Sequence, residues 1–433
     1  MNTILSTKIA DLVQYRGISA VKNTKINVLP ENQTSVTSTD AVQPVYFAIP
    51  ARTASFINAS NTFMAFDINV PAGKNASLCN GSPSSLIETI QITQNGAVLE
   101  DLSNYATFAA VIEDVQGSRR SGKVGSILHG SKAETADAFS QKTGETLPGG
   151  AGISDTSIRV VVPLHSSLIG TLSHQHMPAS MDGIRVRIGF ATSAKALVTA
   201  DTGVTYTLSN INLCLDYEQV PSTVYADLIQ ESGGILKHHS TAVQSYVSTI
   251  QSGSTREALL IPARYSSLKS FMTVFKEAAY AQPEKNSPGN RMNPWVQSYS
   301  YNVGGESYPQ APIRCASKEH PKSGECLTEF IKCFSMNNSP AFDVVFGKAD
   351  YESNSATSLT GAFVLAHSFE PEFAGSSSVA GMDTVSSNSY IHLDLHGFSS
   401  GETVSSAMEC ITFASFDNIT EFNLINGTVD TTK

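Results

Sequence analysis

The chain has 433 residues and a formal net charge of −10. Hydrophobic residues make up 41% of it and charged residues 15%, whereas an ordinary soluble domain has about 25% charged residues. This apolar fraction excludes a long disordered acidic chain, and the low charge excludes a coiled coil. The acidic balance also argues against a protein whose main task is to grip nucleic acid.

The sequence shows neither a membrane span nor an export signal. No run approaches the ~18 consecutive apolar residues that a spanning helix needs. The first residues lack the basic, apolar and small-residue blocks of a signal peptide. Six cysteines in a chain of this length do not form a disulfide scaffold. We therefore expect a protein that is made and folded inside a cell.

Residues 1–42 are predicted to form an N-terminal arm, either a solvated tail or a segment that packs on a neighbouring subunit. After the arm, short β-type runs dominate the sequence. Residues 86–102 are predicted to form a hairpin, because Asn95 and Gly96 both tolerate the positive φ of a two-residue turn. Ser103 can then cap a short helix.

The second half of the sequence repeats the order of the first. Residues 296–313 again predict a hairpin, with Gly304 and Gly305 where the first hairpin has its Asn-Gly pair. A second short helix is predicted over residues 324–334. The series of strand, hairpin, helix, loop and three strands occurs twice, about 210 residues apart. Two β units of this length are typical of sandwiches or barrels, and period-two strands with long loops favour jelly rolls.

We therefore predict an all-β fold of two consecutive eight-stranded jelly rolls, with short helices in the connecting loops. The predicted organisation is an N-terminal arm at 1–42, a first jelly roll at 43–221, a connector at 222–255, and a second jelly roll with a C-terminal tail at 256–433. The connector is expected to contain short helical or irregular pieces. His238 and His239, which fall within it, are expected to be exposed to solvent.

Three sequence features were weighed as binding sites. Residues 117–124 nearly match the phosphate-binding pattern G-x-x-x-x-G-K-[ST], but Val124 replaces the hydroxyl residue that binds magnesium. We interpret this segment as a flexible basic loop. The two histidine groups, which could each reach a metal ion from one strand face, are better explained as polar surface or subunit contact. These groups are His174 with His176, and His392 with Asp394 and His396.

The remaining candidates also favour structural roles. Cys326 and Cys333 are too far apart along a helix to bond to each other, and we expect both to be core thiols. Trp295 is interpreted as a packed loop anchor, with a sugar-stacking platform as the alternative. The sequence contains no H-E-x-x-H or C-x-x-C motif. We predict no catalytic, cofactor-binding or metal-binding residue, no cofactor and no enzymatic activity.

The second hairpin and its helix resemble a segment of double jelly-roll major capsid proteins of the adenovirus and tectivirus lineage. In that family a strand ends in a Gly turn, followed by Tyr-Pro-x-x-Pro-Ile and a helix with a Leu/Phe face. Residues 264–275 and 212–220 resemble the strand that opens the second jelly roll and the strand that closes the first. Polinton-like virus and adintovirus-like capsid proteins are the members that look most similar. The matching positions here are Gly304, Gly305, Tyr308, Pro309, Pro312, Ile313, Leu327 and Phe330.

The resemblance implies a homotrimer, in which three chains of two jelly rolls each form a pseudo-hexameric capsomer that tiles the icosahedral shell of a DNA virus. It implies that residues 115–155, 277–295 and 348–360 form towers or subunit contacts, and that the arm faces the interior or an adjacent capsomer. The expected partners are other copies of this chain, then penton and minor capsid proteins, without sequence-specific contact to nucleic acid. The expected location is the virion capsid, and a membrane beneath the shell is left open.

Two other functions remain as alternatives. One is a two-domain β-sandwich module that binds a glycan or a protein, which an aromatic-lined cleft and a stable monomer would favour. The other is an enzyme on a β scaffold. That alternative requires a carboxylate pair or a histidine–carboxylate metal site, and no spacing in the sequence predicts one.

Overall fold

The computed structural model describes residues 22–39, 43–116, 146–150, 156–173, 176–278, 287–294, 296–315, 323–334, 346–353, 361–370, 381–395 and 406–433. Most of the N-terminal arm, the phosphate-loop-like segment at 117–124 and most of residues 115–155 lie outside this part of the chain. So do residues 279–286, Trp295 and residues 354–360, which belong to the other two predicted towers or contacts.

The described chain is built mainly of β-strands, numbered in chain order. The strands of the N-terminal half are β1 (Lys22–Val28), β2 (Val36–Thr37), β3 (Val45–Ala48), β4 (Ser55–Asn58), β5 (Phe63–Asn69), β6 (Ser77–Leu78), β7 (Ile87–Gln94), β8 (Ala97–Ser103), β9 (Ile158–Pro163), β10 (His176–Pro178), β11 (Ile184–Phe190), β12 (Leu197–Val198) and β13 (Thr207–Gln219). Those of the C-terminal half are β14 (Ile235–Ile250), β15 (Arg256–Ile261), β16 (Leu268–Glu277), β17 (Ser298–Val303), β18 (Glu306–Arg314), β19 (Leu365–Ser368), β20 (Ser389–Asp394), β21 (Met408–Asn423) and β22 (Thr428–Thr432).

Short helices connect some of these strands. The α-helices are α1 (Tyr105–Gln116), α2 (Ser193–Ala196), α3 (Ser222–Glu231), α4 (Ser323–Lys332) and α5 (Lys348–Tyr351). Two 3-10 turns occupy Ala59–Asn61 and Pro83–Leu86. Among these helices, none combines the length and the apolar character that crossing a bilayer requires.

Each half forms two antiparallel sheets with the same strand order. In the N-terminal half, β1 and β5 flank β13 and β9 pairs with β5, while β3, β11, β7 and β8 form the second sheet. In the C-terminal half, the orders are β14-β21-β16-β19 and β15-β20-β17-β18. These eight strands of one half therefore have equivalents in the other, for example β1 and β14, or β8 and β18, whereas β4 and β10 of the first half have none. The predicted double jelly roll is confirmed.

Both predicted hairpins are present with the predicted turns. Asn95 and Gly96 have φ of 49° and 91°, and Gly304 and Gly305 have φ of 62° and 93°. Positive φ at both central residues is what a type I′ turn requires, and this turn matches the twist of the two strands. A helix follows each hairpin, as predicted, although the first begins at Tyr105 rather than beside Ser103.

Two segments that the sequence placed outside the jelly rolls contain strands. Within the predicted arm, β1 pairs with β13 from Lys22 opposite Gln219 to Val28 opposite Leu213. Within the predicted connector, β14 pairs with β21 along its whole length. His238 lies on β14 and is fully buried, so its predicted exposure is wrong. The reason is the period of two along β14, which places His238 on the same side as the buried Leu236. The four-part division of the chain stays a prediction.

The hydrophobic core is not divided evenly between the two jelly rolls. The smaller cluster fills the second sandwich, with Phe271 and Phe275 of β16 among its members. The larger cluster fills the first sandwich and extends to the outer face of sheet β14-β21-β16-β19. Met272 and Val274, the alternate residues of β16, belong to this larger cluster. Strand β16 is therefore buried on both faces, which matches the mostly apolar run from Phe271 to Phe275.

Candidate functional site

The most extensive described feature outside the two sandwiches is the contact between them. Helix α1 lies at its centre, and every residue from Tyr105 to Ile112 is buried. Its Phe108 ring lies 5.4 Å, centroid to centroid, from the Phe413 ring on β21. Burial of two aromatic side chains in such a pair stabilises the contact by their apolar area and by about 0.5–1.5 kcal/mol of ring interaction.

Polar groups align the edges of the two jelly rolls. The hydroxyl oxygens of Ser103, at the end of β8, and Ser245, on β14, are 2.7 Å apart. The Ser245 hydroxyl also lies 3.0 Å from the Ser103 carbonyl oxygen, to which it can donate. Further along β14, Nε2 of the buried His238 lies 3.0 Å from the hydroxyl of Ser173. Ser173 is therefore a hydrogen-bond partner of this buried histidine at the contact between the two jelly rolls.

A buried ion pair crosses the same contact. Arg291 follows β16 and is 0% exposed, and its Nη2 pairs with Oδ2 of Asp114 on α1. Among the described residues, its Nε and Nη1 have no hydrogen-bond partner. The backbone of Arg291 is held by Gly361, whose carbonyl oxygen accepts its N–H at 2.9 Å. Because Arg291 is buried and pairs with Asp114, the site is sensitive to any change in Asp114.

A small polar cavity of about 30 Å³ lies beside α1. Its lining includes Lys195, Lys276, Glu88 and Glu409. Burial lowers the pKa of Lys276, while the neighbouring Glu409 and Glu88 raise it. The Lys195 ammonium lies 2.7 Å from a Glu88 carboxylate oxygen. The volume is far below the roughly 300–1,000 Å³ of small-molecule pockets, so the cavity has room for solvent rather than a ligand.

A second depression, of about 350 Å³, lies on the outer face of sheet β15-β20-β17-β18. His392 and Asp394, two of the three residues weighed as a metal group, line it. His392 is exposed and Asp394 lies 3.9 Å from Arg256. His396 lies outside the described residues. The part of the chain that the structure describes contains no cluster of three or more residues that could hold a metal ion.

The other histidine pair is also only partly described, since His174 lies outside that part. Nε2 of His176 lies 3.1 Å from a carboxylate oxygen of Glu218, and Asn58 donates to the other oxygen at 3.0 Å. The neighbouring His176 lowers the pKa of Glu218, and the partial burial of Glu218 opposes this shift. This arrangement joins β10, β4 and β13 across one sheet.

The surroundings of the cysteines favour structural roles. Cys326 is fully buried, as predicted, whereas Cys333 is partly exposed. The Cys326 sulfur lies 2.9 Å from that of Cys315, a proximity that the sequence did not predict. Burial raises the pKa of Cys79 and of Cys410 to about 12. Thiols of this kind are poor nucleophiles at neutral pH because so little thiolate is present.

Sequence comparison finds no relative: no family model and no curated protein matches the chain. Structure comparison does. The Faustovirus major capsid protein aligns with a TM-score of 0.62 at 9% identity, covering 92% of this chain and 90% of that one. A quasi-atomic model of the PBCV-1 virus capsid aligns at 0.53 with 11% identity, covering 96% and 97%. The mavirus major capsid protein aligns at 0.54 with 9% identity, covering 94% and 90%.

These likenesses extend over both halves of the chain and concern its fold. The chain has the double jelly-roll fold, in which two jelly rolls of the same strand order lie side by side. At identities of about 10%, the comparison carries no information on individual side chains.

Proposed function

We propose that this chain is a major capsid protein, a structural subunit of an icosahedral virus shell. The observation that carries the proposal is the likeness to the Faustovirus and mavirus major capsid proteins, which spans more than nine-tenths of this chain in both cases. A likeness of that extent involves both jelly rolls and their relative placement, not one β-sandwich alone. On this proposal the protein acts through its surfaces rather than through a catalytic centre.

The proposed assembly is a homotrimer of pseudo-hexameric outline. Three chains with two equivalent jelly rolls each supply six similar units, and closed rings are the usual form of homo-oligomers. The low share of charged residues suits surfaces that are covered by other copies, because interface cores are depleted of charge. Penton and minor capsid proteins are the further partners on this proposal, and the virion capsid is its location.

The oligomeric state tests this function directly. Light scattering of the purified protein should give three copies of the 46.1 kDa chain, about 138 kDa, and negative-stain images should show hexagonal outlines. A stable monomer would contradict the proposal. It would favour the alternative of a two-domain binding module, and a glycan array would then be the next experiment.

A further inference from the structure

Two cysteines of the second jelly roll lie close enough to react with each other. Cys315 directly follows β18, and Cys326 lies in the N-terminal half of α4. Their sulfur atoms are 2.9 Å apart, and both residues are free thiols. The sulfurs of a disulfide are about 2.05 Å apart, so a small movement brings these two within bonding distance.

The core of the second sandwich encloses this pair of thiols. Cys315 is 2% exposed and Cys326 is 0% exposed. The backbone N–H of Cys315 donates to the carbonyl oxygen of Gln297 at 2.9 Å, which fixes the chain just after β18. Burial holds the pKa of the Cys315 thiol well above its usual range. Because the folded site excludes solvent, an oxidant in solution reaches the pair only when part of the site opens.

Helix α4 is the part of this site that can open at low cost. Of its ten residues, Cys326 and Phe330 are buried. The equivalent helix α1 contains no cysteine, and all its residues from Tyr105 to Ile112 are buried. Helices of fewer than about 12–15 residues are marginal without tertiary packing, and segments with few buried contacts open locally. Opening of α4 therefore exposes Cys326 while the rest of the sandwich stays folded.

The contacts of α4 differ between its two ends. Towards the C-terminal end, a carboxylate oxygen of Glu329 lies 2.9 Å from Nδ1 of His367, on β19. At the N-terminal end, Ser323 donates a hydrogen bond to the carboxylate of Glu352, and Cys326 is the buried residue. A covalent bond through Cys326 would fix this second end to the core.

We infer that Cys315 and Cys326 form a redox site, in which the two thiols become a disulfide that joins α4 to the end of β18. The cytosol keeps thiols reduced, whereas media outside the cell allow disulfides to persist. The passage between these media rests on the proposed function, because a capsid subunit is made inside a cell and then released in the virion. The pairing itself is a property of the folded chain.

A low-molecular-weight disulfide such as oxidised glutathione is the oxidant. Cys326, exposed when α4 opens, loses its proton to water and attacks one sulfur of the small disulfide. The bond between the two small sulfurs breaks, and one half leaves as a thiol. Cys315 then loses its proton and attacks the Cys326 sulfur, which releases the other half. Two protein thiols are thus oxidised, and one small disulfide is reduced to two thiols.

Peptide mapping tests the pairing. The native protein is kept overnight with oxidised glutathione at pH 8, alkylated in urea and digested with trypsin without reduction. The peptides that contain Cys315 and Cys326 should be joined, with a mass two hydrogens below their sum. Cys333 is the internal control, because it lies just beyond α4 on a peptide of its own. Trypsin separates the three cysteines by cleaving after Arg314, Lys318, Lys322 and Lys332.

Two results of the mapping would overturn the inference. One is the absence of a bond between Cys315 and Cys326, and the other is a bond from either residue to Cys333. The variant Cys333→Ala should still give the joined peptides, whereas Cys315→Ala should give none.

Thermal unfolding tests whether the disulfide holds the helix. The oxidised wild-type protein should unfold about 5 °C above the reduced protein, because a bond that closes a loop of about ten residues restricts the unfolded chain. Cys333→Ala should keep this difference between the two media. Cys315→Ala and Cys326→Ala should each unfold at one temperature in both media, whatever their own stability.

Equal unfolding temperatures of the oxidised and reduced wild-type protein would refute the link between α4 and the core. The failure of the proposed function would be a different result. A monomeric wild-type protein would refute the homotrimer, whereas the joined peptides and the temperature difference decide the cysteine pair in either oligomeric state.

Discussion

The ion pair between Arg291 and Asp114 gives the sharpest stability prediction, because it is buried and joins the two jelly rolls. Asp114→Asn removes the one carboxylate among the described residues that pairs with the Arg291 guanidinium, which is 0% exposed. Breaking a buried pair by removing one partner costs about 3–5 kcal/mol, since the remaining charge is left uncompensated. The Asp114 side chain is 13% exposed, so some solvent reaches the site and we expect a loss near the lower end, about 3 kcal/mol.

A surface pair in the same protein supplies the control. Arg159 and Asp67 lie 3.1 Å apart with side chains 43% and 19% exposed, and exposed pairs are worth about 0–1 kcal/mol. Urea unfolding followed by circular dichroism should therefore place the Asp114→Asn midpoint well below that of Asp67→Asn. Replacing both partners, with Asp114→Leu and Arg291→Met, should recover most of the lost stability. If Asp114→Asn costs no more than Asp67→Asn, the buried Arg291 does not depend on Asp114 for charge compensation, and this reasoning is wrong.

Three other outcomes follow from the described contacts. Phe108→Ala should lower the free energy of unfolding by about 3–5 kcal/mol, whereas Val98→Ala, at a 44% exposed position of β8, should change the urea midpoint little. Burial raises the pKa of Cys79 and of Cys410 to about 12. At pH 8 both thiols should therefore react with a thiol reagent about 10⁴-fold more slowly than a free thiolate. Fast labelling of either cysteine in the folded protein would contradict its burial. Because His176 lowers the pKa of Glu218 from 4.5, the contribution of Glu218 to stability is complete above pH 4.5 and is lost as the pH falls through the lower folded value. His176→Ala should reduce this loss of stability in acid, and an unchanged loss would show that His176 does not cause it.

The sequence predicted the features of the fold that depend on neighbouring residues. The Asn95-Gly96 and Gly304-Gly305 turns could be recognised because only a few residue pairs tolerate positive φ at both positions. The helices after the hairpins showed an apolar period, and the repeat of these features revealed two units. Strand β14 was missed because the Gly233-Gly234 pair before it suggested an irregular connector.

The contact between the jelly rolls could not be predicted from the sequence, for a different reason. Arg291 and Asp114 are 177 residues apart, and nothing in a local pattern states which distant side chain will cover a charge. The contact of His238 with Ser173, which is 65 residues away in the sequence, could not be predicted for the same reason. The alternation of β1 is weak, since most of its residues are exposed on an edge, and it therefore resembled a solvated arm.

The position of β21 in its sheet has a consequence for how the chain is made. This strand, at residues Met408–Asn423, lies between β14 and β16, which precede it by well over a hundred residues. Strand β14 can therefore pair in the native sheet only after nearly the whole chain has been made, and until then β16 can pair only with β19. Until then α1 can pack only against its own jelly roll, and Phe108 has no partner in Phe413. Folding that waits for such distant pairing is slow and leaves apolar surface exposed, so the newly made chain should be a strong client for chaperones during synthesis.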